Sequence, residues 1–225
     1  MKAIILAAGR GQRMMPLTKE MPKPMLKVAG KPLLEHHIIN LKAAGIEQIV
    51  INLAWQGDKI KAYFGDGNKW GVSIQYSQEQ PGGLETAGGI INALKLLGDS
   101  FIVLNGDVYT DYDVSALIQL HLSDNEAHLV LVENPAHNPE GDFALNHHQA
   151  ISQKYTFSGI ARYQSGFFTG YKNQVLPLGP ILREKLDEGV ISTELYLGQW
   201  DDIGTPQRLD ELNQRLAGSS ILATD

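Results

Sequence analysis

The chain has 225 residues, of which 43% are hydrophobic and 20% charged, and its formal net charge is −6. This is the composition of a soluble globular protein, and the negative charge argues against a nucleic acid or an anionic membrane as a partner. The absence of cysteine excludes disulfides, thiolate metal sites and cysteine nucleophiles, and it fits a reducing cytoplasm. We expect neither a signal peptide nor a membrane span, because the apolar runs are short.

Strand and helix signals alternate along the chain, which predicts an α/β sheet. The segment 134–151 is polar and is expected to hold a loop and an edge hairpin, and the last residues, 218–225, are expected to fray. Strands are predicted at Lys2–Ala8, Gln48–Ala54, Val72–Ser77, Phe101–Leu104, Ala127–Glu133 and Thr156–Tyr163, and helices at Leu33–Ala44, Asp58–Phe64, Thr86–Leu97, Val114–Leu122, Gly179–Glu188 and Pro206–Leu216.

A glycine-rich loop follows the first strand and carries the strongest functional signal. Gly9 and Gly11 permit backbone N–H groups to approach an anion closely, and Arg13 supplies a permanent cation that fits phosphate oxygens. Lys23 follows between two prolines that restrict its backbone. The segment predicts a triphosphate site. The dinucleotide-binding alternative requires a third glycine, where this chain has Met14.

Two aspartates follow predicted strands or turns where a metal could be held. Asp107 ends the strand at Phe101–Leu104, and ligands collect at the carboxyl ends of strands in open α/β sheets. Asp202 precedes Thr205 and Pro206, which predict a helix N-terminus. Carboxylates are suitable ligands for Mg²⁺, although both aspartates also suit simple turns. Asp201 is expected to point away from Asp202 if the segment is extended.

A second glycine-rich loop, at 77–88, precedes the predicted helix that begins at Thr86. Thr86 is a plausible N-cap for that helix. Gly83 and Gly88 would permit a planar ring to approach the backbone closely, and Glu79 could accept a hydrogen bond from a base N–H. Uracil and guanine both present such an N–H, so Glu79 does not choose between them.

These motifs together resemble the sugar-1-phosphate nucleotidylyltransferases, and the resemblance extends over nearly the whole chain. It implies a Rossmann-like, GT-A-like three-layer sandwich with a mixed, mostly parallel central sheet. One domain is expected over 1–225, with a nucleotide-binding part at about 1–110 and a sugar-phosphate-binding part at about 111–225, and without the C-terminal β-helix of many relatives. The implied catalytic residues are Arg13 and Lys23, the nucleotide-binding residues Leu6, Ala8, Gly9, Gly11, Glu79, Gly83, Thr86 and Gly88, the sugar-phosphate-binding residues Asn105, Gly141, Lys154, Thr156 and Ser158, and the Mg²⁺ ligands Asp107 and Asp202.

Further segments resemble the branch of this family that uses UTP and N-acetyl-α-muramate 1-phosphate in cell-wall recycling. One of them is Leu84-Glu85-Thr86, which has glutamate where most relatives have glycine. A guanylyltransferase acting on mannose 1-phosphate is the alternative, and an inactive nucleotide sensor is a third reading. The family's acidic residue before a lysine is not recognisable in this region. Lys154 is a candidate to bind the carboxylate of the sugar, and the alternative is a solvated lysine. We expect a monomer or a weak homodimer.

Overall fold

The computed structural model describes residues 1–145 and 153–222, and its centre is an eight-stranded sheet. The strand order is β11-β8-β10-β6-β1-β4-β5, with β9 paired to β10. Among the described strands of this sheet, only β10 runs antiparallel to its neighbours β6, β8 and β9, so the sheet is mixed and mostly parallel, as predicted. The strands are β1 (Lys2–Leu6), β2 (Lys27–Val28), β3 (Lys31–Pro32), β4 (Gln48–Leu53), β5 (Ser73–Gln78), β6 (Ser100–Asn105), β7 (Val108–Thr110), β8 (Ala127–Val132), β9 (Phe143–Ala144), β10 (Lys154–Gln164), β11 (Ile191–Tyr196) and β12 (Trp200–Asp202).

Helices cover both faces of the sheet, which gives three layers. Alternate residues of a strand point to opposite faces, so Ile5 of β1 packs with α1 and α2, whereas Ile4 packs with α3 and α5. The α-helices are α1 (Leu33–Ala43), α2 (Gly57–Phe64), α3 (Glu85–Leu97), α4 (Ser115–Ile118), α5 (Leu178–Asp187) and α6 (Pro206–Leu222). Within the described ranges, none is long and apolar enough to cross a bilayer.

Helix α6 joins the end of the chain to the N-terminal loops through a small separate core. Met14, Leu26, Ile203 and Leu212 are among its buried members. The hydroxyl of Thr205 accepts a hydrogen bond from the backbone N–H of Arg208 at 3.4 Å, which confirms the predicted cap. This core therefore holds the segment that follows β12 against the loops that follow β1.

The C-terminal ends of two helices were predicted wrongly by several residues. The helix predicted at Val114–Leu122 is only Ser115–Ile118, because the buried guanidinium of Arg162 donates to the carbonyls of Leu117 and Leu120 and so satisfies the groups that a longer helix would use. At the other end, α6 continues through Gly218 to Leu222 instead of fraying from Gly218. Residues 146–152, which fall in the segment predicted as loop and hairpin, and 223–225 lie outside the described residues.

Candidate active site

Four neighbouring parallel strands, β6, β1, β4 and β5, end at one edge of the sheet, and a cavity of about 320 Å³ opens there. Both glycine-rich loops meet at this edge, which is the position expected for a ligand in an open α/β sheet. We call it the glycine-loop cavity. It is lined by Leu6, Ala7, Ala8, Gly9, Arg10, Lys23, Pro24, Asn52, Glu79, Gly82, Gly83, Leu84, Glu85, Thr86, Asn105 and Asp107.

A buried hydrogen-bond chain ties the two loops together. The side-chain amide of Asn52 accepts from the backbone N–H of Ala7 at 2.6 Å and donates to Glu79 Oε1 at 2.6 Å. The other oxygen of Glu79 accepts from the backbone N–H of Leu84 at 2.8 Å. Burial raises the pKa of Glu79, while these two donors act in the opposite direction. Asn52 therefore sets the position of Glu79 in the cavity wall.

Two predicted nucleotide-binding glycines do not line this cavity. Gly11 has a φ of +60°, and a Cβ there would lie 2.9 Å from Thr18 Cγ2, so the residue forms the tight turn behind the loop. Gly88 lies inside α3, where a Cβ would meet the carbonyl oxygen of Gln174 at 2.2 Å. Both glycines have packing reasons to be there, and their contact with a nucleotide stays a prediction.

The predicted N-cap of α3 was wrong. The helix begins at Glu85 rather than Thr86, and its N-cap, Leu84, has no side chain that could cap it. Thr86 instead lies in the first turn and lines the glycine-loop cavity. Thr86 is thus a residue of the cavity wall and not the helix cap.

A second cavity, of about 330 Å³, adjoins the first and contains both candidate metal ligands. We call it the aspartate cavity. Asn105 and Asp107 line both cavities, so the two share a boundary at the end of β6. The residues that line the aspartate cavity are Arg13, Asn105, Asp107, Val108, His137, Asn138, Thr156, Phe157, Ser158, Trp200 and Asp202.

Asp107 is paired with the predicted catalytic lysine. Lys23 Nζ lies 2.6 Å from Asp107 Oδ2, and the lysine side chain is only 10% exposed. Beside this pair, His37 is buried, and burial lowers its pKa to about 4. His37 is therefore neutral at pH 7, and the cation next to Asp107 is Lys23.

Asp202 is brought to Asp107 by backbone pairing and is held by two side chains. Asp202 is opposite Val108 in the β12–β7 ribbon, and the N–H of Ile203 donates to the carbonyl of Asp107 at 3.0 Å. Its Oδ2 lies 2.9 Å from Arg208 Nη1 and 3.2 Å from His137 Nε2.

The neighbouring aspartate faces another part of the molecule, as predicted. Asp201 Oδ2 pairs with Arg215 Nη2 at 2.5 Å, outside the aspartate cavity. The extended backbone of β12 thus separates the two carboxylates, and Asp202 is the one that shares a cavity with Asp107.

The predicted sugar-binding residues divide into two groups. Thr156 and Ser158 line the aspartate cavity, but the hydroxyl of Ser158 donates to the carbonyl of Val130 at 2.6 Å and is buried in that role. The structure does not bring Gly141 and Lys154 to either described cavity, because Gly141 packs on the backbone of Lys154 in the β9–β10 hairpin and the lysine side chain is exposed. Their contact with a sugar stays a prediction.

Two arginines serve different cavities. Arg13 lines the aspartate cavity, whereas Arg10 lines the glycine-loop cavity and lies over the ring of Trp55, with 5.6 Å between its Cζ atom and the ring centroid. The loop after β1 thus contributes one permanent cation to each of the two cavities that Asp107 lines.

Sequence reasoning missed Asn52, His137, Trp200 and Arg208 as site residues. Trp200 belongs to the motif that indicated Asp202, and its Nε1–H donates to the carbonyl of Ser158 at 2.9 Å. Arg208 lies near the start of the predicted helix at Pro206–Leu216, only six residues after Asp202. Its contact with Asp202 could therefore have been predicted from the sequence. Asn52 and His137 meet their partners across 27 and 65 residues of sequence, and no local pattern indicates those contacts.

The side chains near Asp107 and Asp202 indicate which kind of metal ion the site could hold. Among residues 1–145 and 153–222, no group of three or more histidine, cysteine, aspartate or glutamate side chains is placed to hold one. Two carboxylates that line one cavity fit Mg²⁺, which commonly takes one or two carboxylates and completes its shell with waters and substrate oxygens. They do not fit a structural zinc site, which requires four protein ligands.

Glycine-rich loops at the ends of parallel strands, beside two aspartates and several cations, define an α/β protein equipped to bind phosphorylated ligands. The model of the Nucleotidyl transferase family matches residues 2–153. The chain therefore belongs to the nucleotidyl transferase family.

Individual relatives agree with this assignment. Over 97% of its length, the chain is 50% identical to the N-acetylmuramate alpha-1-phosphate uridylyltransferase of Neisseria meningitidis serogroup B, and it covers 99% of that protein. It is 42% identical over 57% of its length to a mannose-1-phosphate guanylyltransferase of Mycobacterium tuberculosis, of which it spans only 36%. A crystal structure of a protein assigned as a glucose-1-phosphate thymidylyltransferase from Bacillus anthracis superposes with a TM-score of 0.83, at 25% identity over 96% of this chain and 94% of that one.

Proposed function

We propose that this enzyme transfers a uridylyl group from UTP to N-acetyl-α-muramate 1-phosphate, giving UDP-N-acetylmuramate and pyrophosphate. The observation that carries the proposal is the shared boundary of two cavities at Asn105 and Asp107, which suits a reaction between two phosphorylated substrates. The choice of substrates rests on the relative from Neisseria meningitidis, which matches nearly the whole chain. The product would serve the recycling of cell-wall sugars in the cytoplasm.

The glycine-loop cavity is the proposed site of UTP. Its Gly9 and Arg10 come from the loop after β1 and suit the phosphates, whereas Glu79 and Gly83 come from the second loop and suit the nucleoside. The aspartate cavity is the proposed site of the sugar phosphate, with Thr156 among its polar groups. In this scheme the first half of the domain, about 1–110, supplies most of the nucleotide contacts.

The proposed reaction needs no general base. A phosphate monoester has its second pKa near 6 and is largely a dianion at neutral pH. One of its oxygens forms a bond to the α-phosphorus of UTP, the bond from that phosphorus to the bridging oxygen of the β-phosphate breaks, and pyrophosphate leaves. The requirement is to hold two polyanions in line and to balance their charge.

Asp107 and Asp202 are the proposed holders of Mg²⁺, which when bound would neutralise phosphate charge between the substrates. Lys23 lies against Asp107, and in this scheme its ammonium group would contact a phosphate oxygen beside that carboxylate. Arg13, in the wall of the aspartate cavity, would stabilise negative charge on phosphate oxygens during transfer. Arg208 and His137 would act as positioning residues that fix the orientation of Asp202.

The test is pyrophosphate release with Mg²⁺ over a matrix of UTP, GTP, dTTP and CTP against the 1-phosphates of N-acetylmuramate, N-acetylglucosamine, glucose and mannose. We expect release chiefly with UTP and N-acetylmuramate 1-phosphate. Preference for GTP and mannose 1-phosphate would favour the alternative that the Mycobacterium relative represents. Binding of nucleotide without pyrophosphate release for any pair would favour an inactive sensor.

Size-exclusion chromatography would separately test the expected monomer or weak homodimer.

A further inference from the structure

One residue in the wall of the glycine-loop cavity has an unfavourable backbone conformation. Glu85, the first residue of α3, has a φ of +61°. Such left-handed conformations are unfavourable for an L-residue, whereas glycine adopts them freely. The two glycines just before it, Gly82 and Gly83, have positive φ values of +115° and +78°. A glycine at position 85 would therefore complete the same loop without strain.

Glycine at position 85 would remove this strain, yet the chain has glutamate there. Because backbone strain clusters at functional sites, we expect the side chain of Glu85 to have a function. The carboxylate of Glu85 is exposed, and it lies in the wall of the cavity. Within residues 1–145 and 153–222, it makes no hydrogen bond or ion pair. Glu79, the other glutamate of the same wall, is buried and has both oxygens engaged by Asn52 and Leu84.

The chemistry of a nucleoside triphosphate restricts what Glu85 can contact. An ionised carboxylate only accepts hydrogen bonds, and the triphosphate offers acceptors and negative charge, so the two would repel each other. The nucleoside presents the donors: the N–H groups of the base and the hydroxyl groups of the ribose. Arg10 and Lys23, which attract the phosphates, come from the other loop.

We infer that the carboxylate of Glu85 accepts a hydrogen bond from the nucleoside of the bound substrate and so contributes to nucleotide selectivity. The inference rests on the proposed function only for the identity of the nucleotide. On this inference, the strained conformation of Glu85 is tolerated because it keeps a glutamate in the cavity wall.

Two variants separate the contact from the strain. Glu85→Ala removes the carboxylate and keeps an L-residue at positive φ, whereas Glu85→Gly removes both. We expect both to lower the affinity for UTP at least about tenfold, since one hydrogen bond to a charged group is lost. We also expect Glu85→Gly to melt about 2–4 °C above Glu85→Ala, because only glycine relieves the strain.

Titration calorimetry with UTP, 2′-deoxy-UTP, 3′-deoxy-UTP and CTP identifies the donor. The analogue that lacks it, a ribose hydroxyl or the N3–H of uracil, is expected to bind wild type and both variants alike. Variants that bind UTP as wild type does, or that weaken all four nucleotides equally, would overturn the inference. Pyrophosphate release by wild type, measured in parallel, tests the proposed function separately: an enzyme that binds UTP through Glu85 but releases no pyrophosphate would refute that function and leave this inference standing.

Discussion

Replacing Asn52 by alanine tests the buried connection between the two glycine-rich loops. The substitution removes the donor to Glu79 and leaves the buried N–H of Ala7 without its acceptor. A lost hydrogen bond to a charged group costs about 1.5–3 kcal/mol, and an unsatisfied buried donor costs about 1–3 kcal/mol. We therefore expect the free energy of unfolding to fall by about 3–5 kcal/mol near pH 8.

The loss is expected to depend on pH in a definite direction. Burial raises the pKa of Glu79, so the folded state holds this proton more tightly than the unfolded state does, and the stability falls as the pH rises from the ordinary pKa to the raised one. Asn52 limits that rise by hydrogen bonding to the carboxylate. Without Asn52 the pKa of Glu79 rises further, so the difference between variant and wild type grows from pH 5 to pH 8.

Urea denaturation at both pH values measures this difference. Asn92→Ala is the matched control, because all the hydrogen-bond partners of this partly exposed side chain are neutral: it donates to the hydroxyl of Ser77 at 2.9 Å and the carbonyl of Gln78 at 3.3 Å, and it accepts from Asn173 at 2.9 Å. We expect it to lose about 1 kcal/mol at either pH. An Asn52→Ala variant that loses less than about 1 kcal/mol, or equally at pH 5 and pH 8, would refute the assigned network.

Three further predictions concern the reaction. Asp107→Asn and Asp202→Asn should each lower pyrophosphate release at least about a hundredfold with unchanged circular dichroism, whereas Asp201→Asn should stay close to wild type; equal effects at all three positions would contradict the assignment of the metal ligands. Lys23→Ala should lower kcat about 10²–10³-fold, and a defect confined to the melting temperature would instead indicate a purely structural lysine. Chelation by EDTA should stop turnover and added Mg²⁺ should restore it, so turnover that persists in EDTA would exclude the metal-assisted scheme.

Local sequence signals predicted much of the fold because they act over a few residues. The helix predicted at Leu33–Ala44 ends at Ala43, and it is entered from Pro32 and closed by Gly45 in the left-handed region, as glycine and proline preferences indicate. The buried strands were predicted to within one or two residues for the same reason. The helix that contains α4 was predicted too long because Arg162, more than 40 residues away, ends it.

The site was predictable where a motif is contiguous and was missed where it is assembled by the fold. Asp107 was expected from its strand end and Asp202 from the family resemblance of its contiguous motif, and both line one cavity in the structure. The role of Asn52 arises only when β4 lies between β1 and β5, which no local pattern specifies. Glu85 was noticed as an unusual residue, but its positive φ could not be read from sequence.

The most direct test of the account is transfer of label from UTP that carries ³²P at the α-phosphate, incubated with N-acetylmuramate 1-phosphate and Mg²⁺. We predict that the label appears in UDP-N-acetylmuramate, that the pyrophosphate is unlabelled, and that N-acetylglucosamine 1-phosphate is a much poorer acceptor. Label that remains in UTP or appears in UMP, with no labelled sugar nucleotide, would contradict uridylyl transfer by this enzyme.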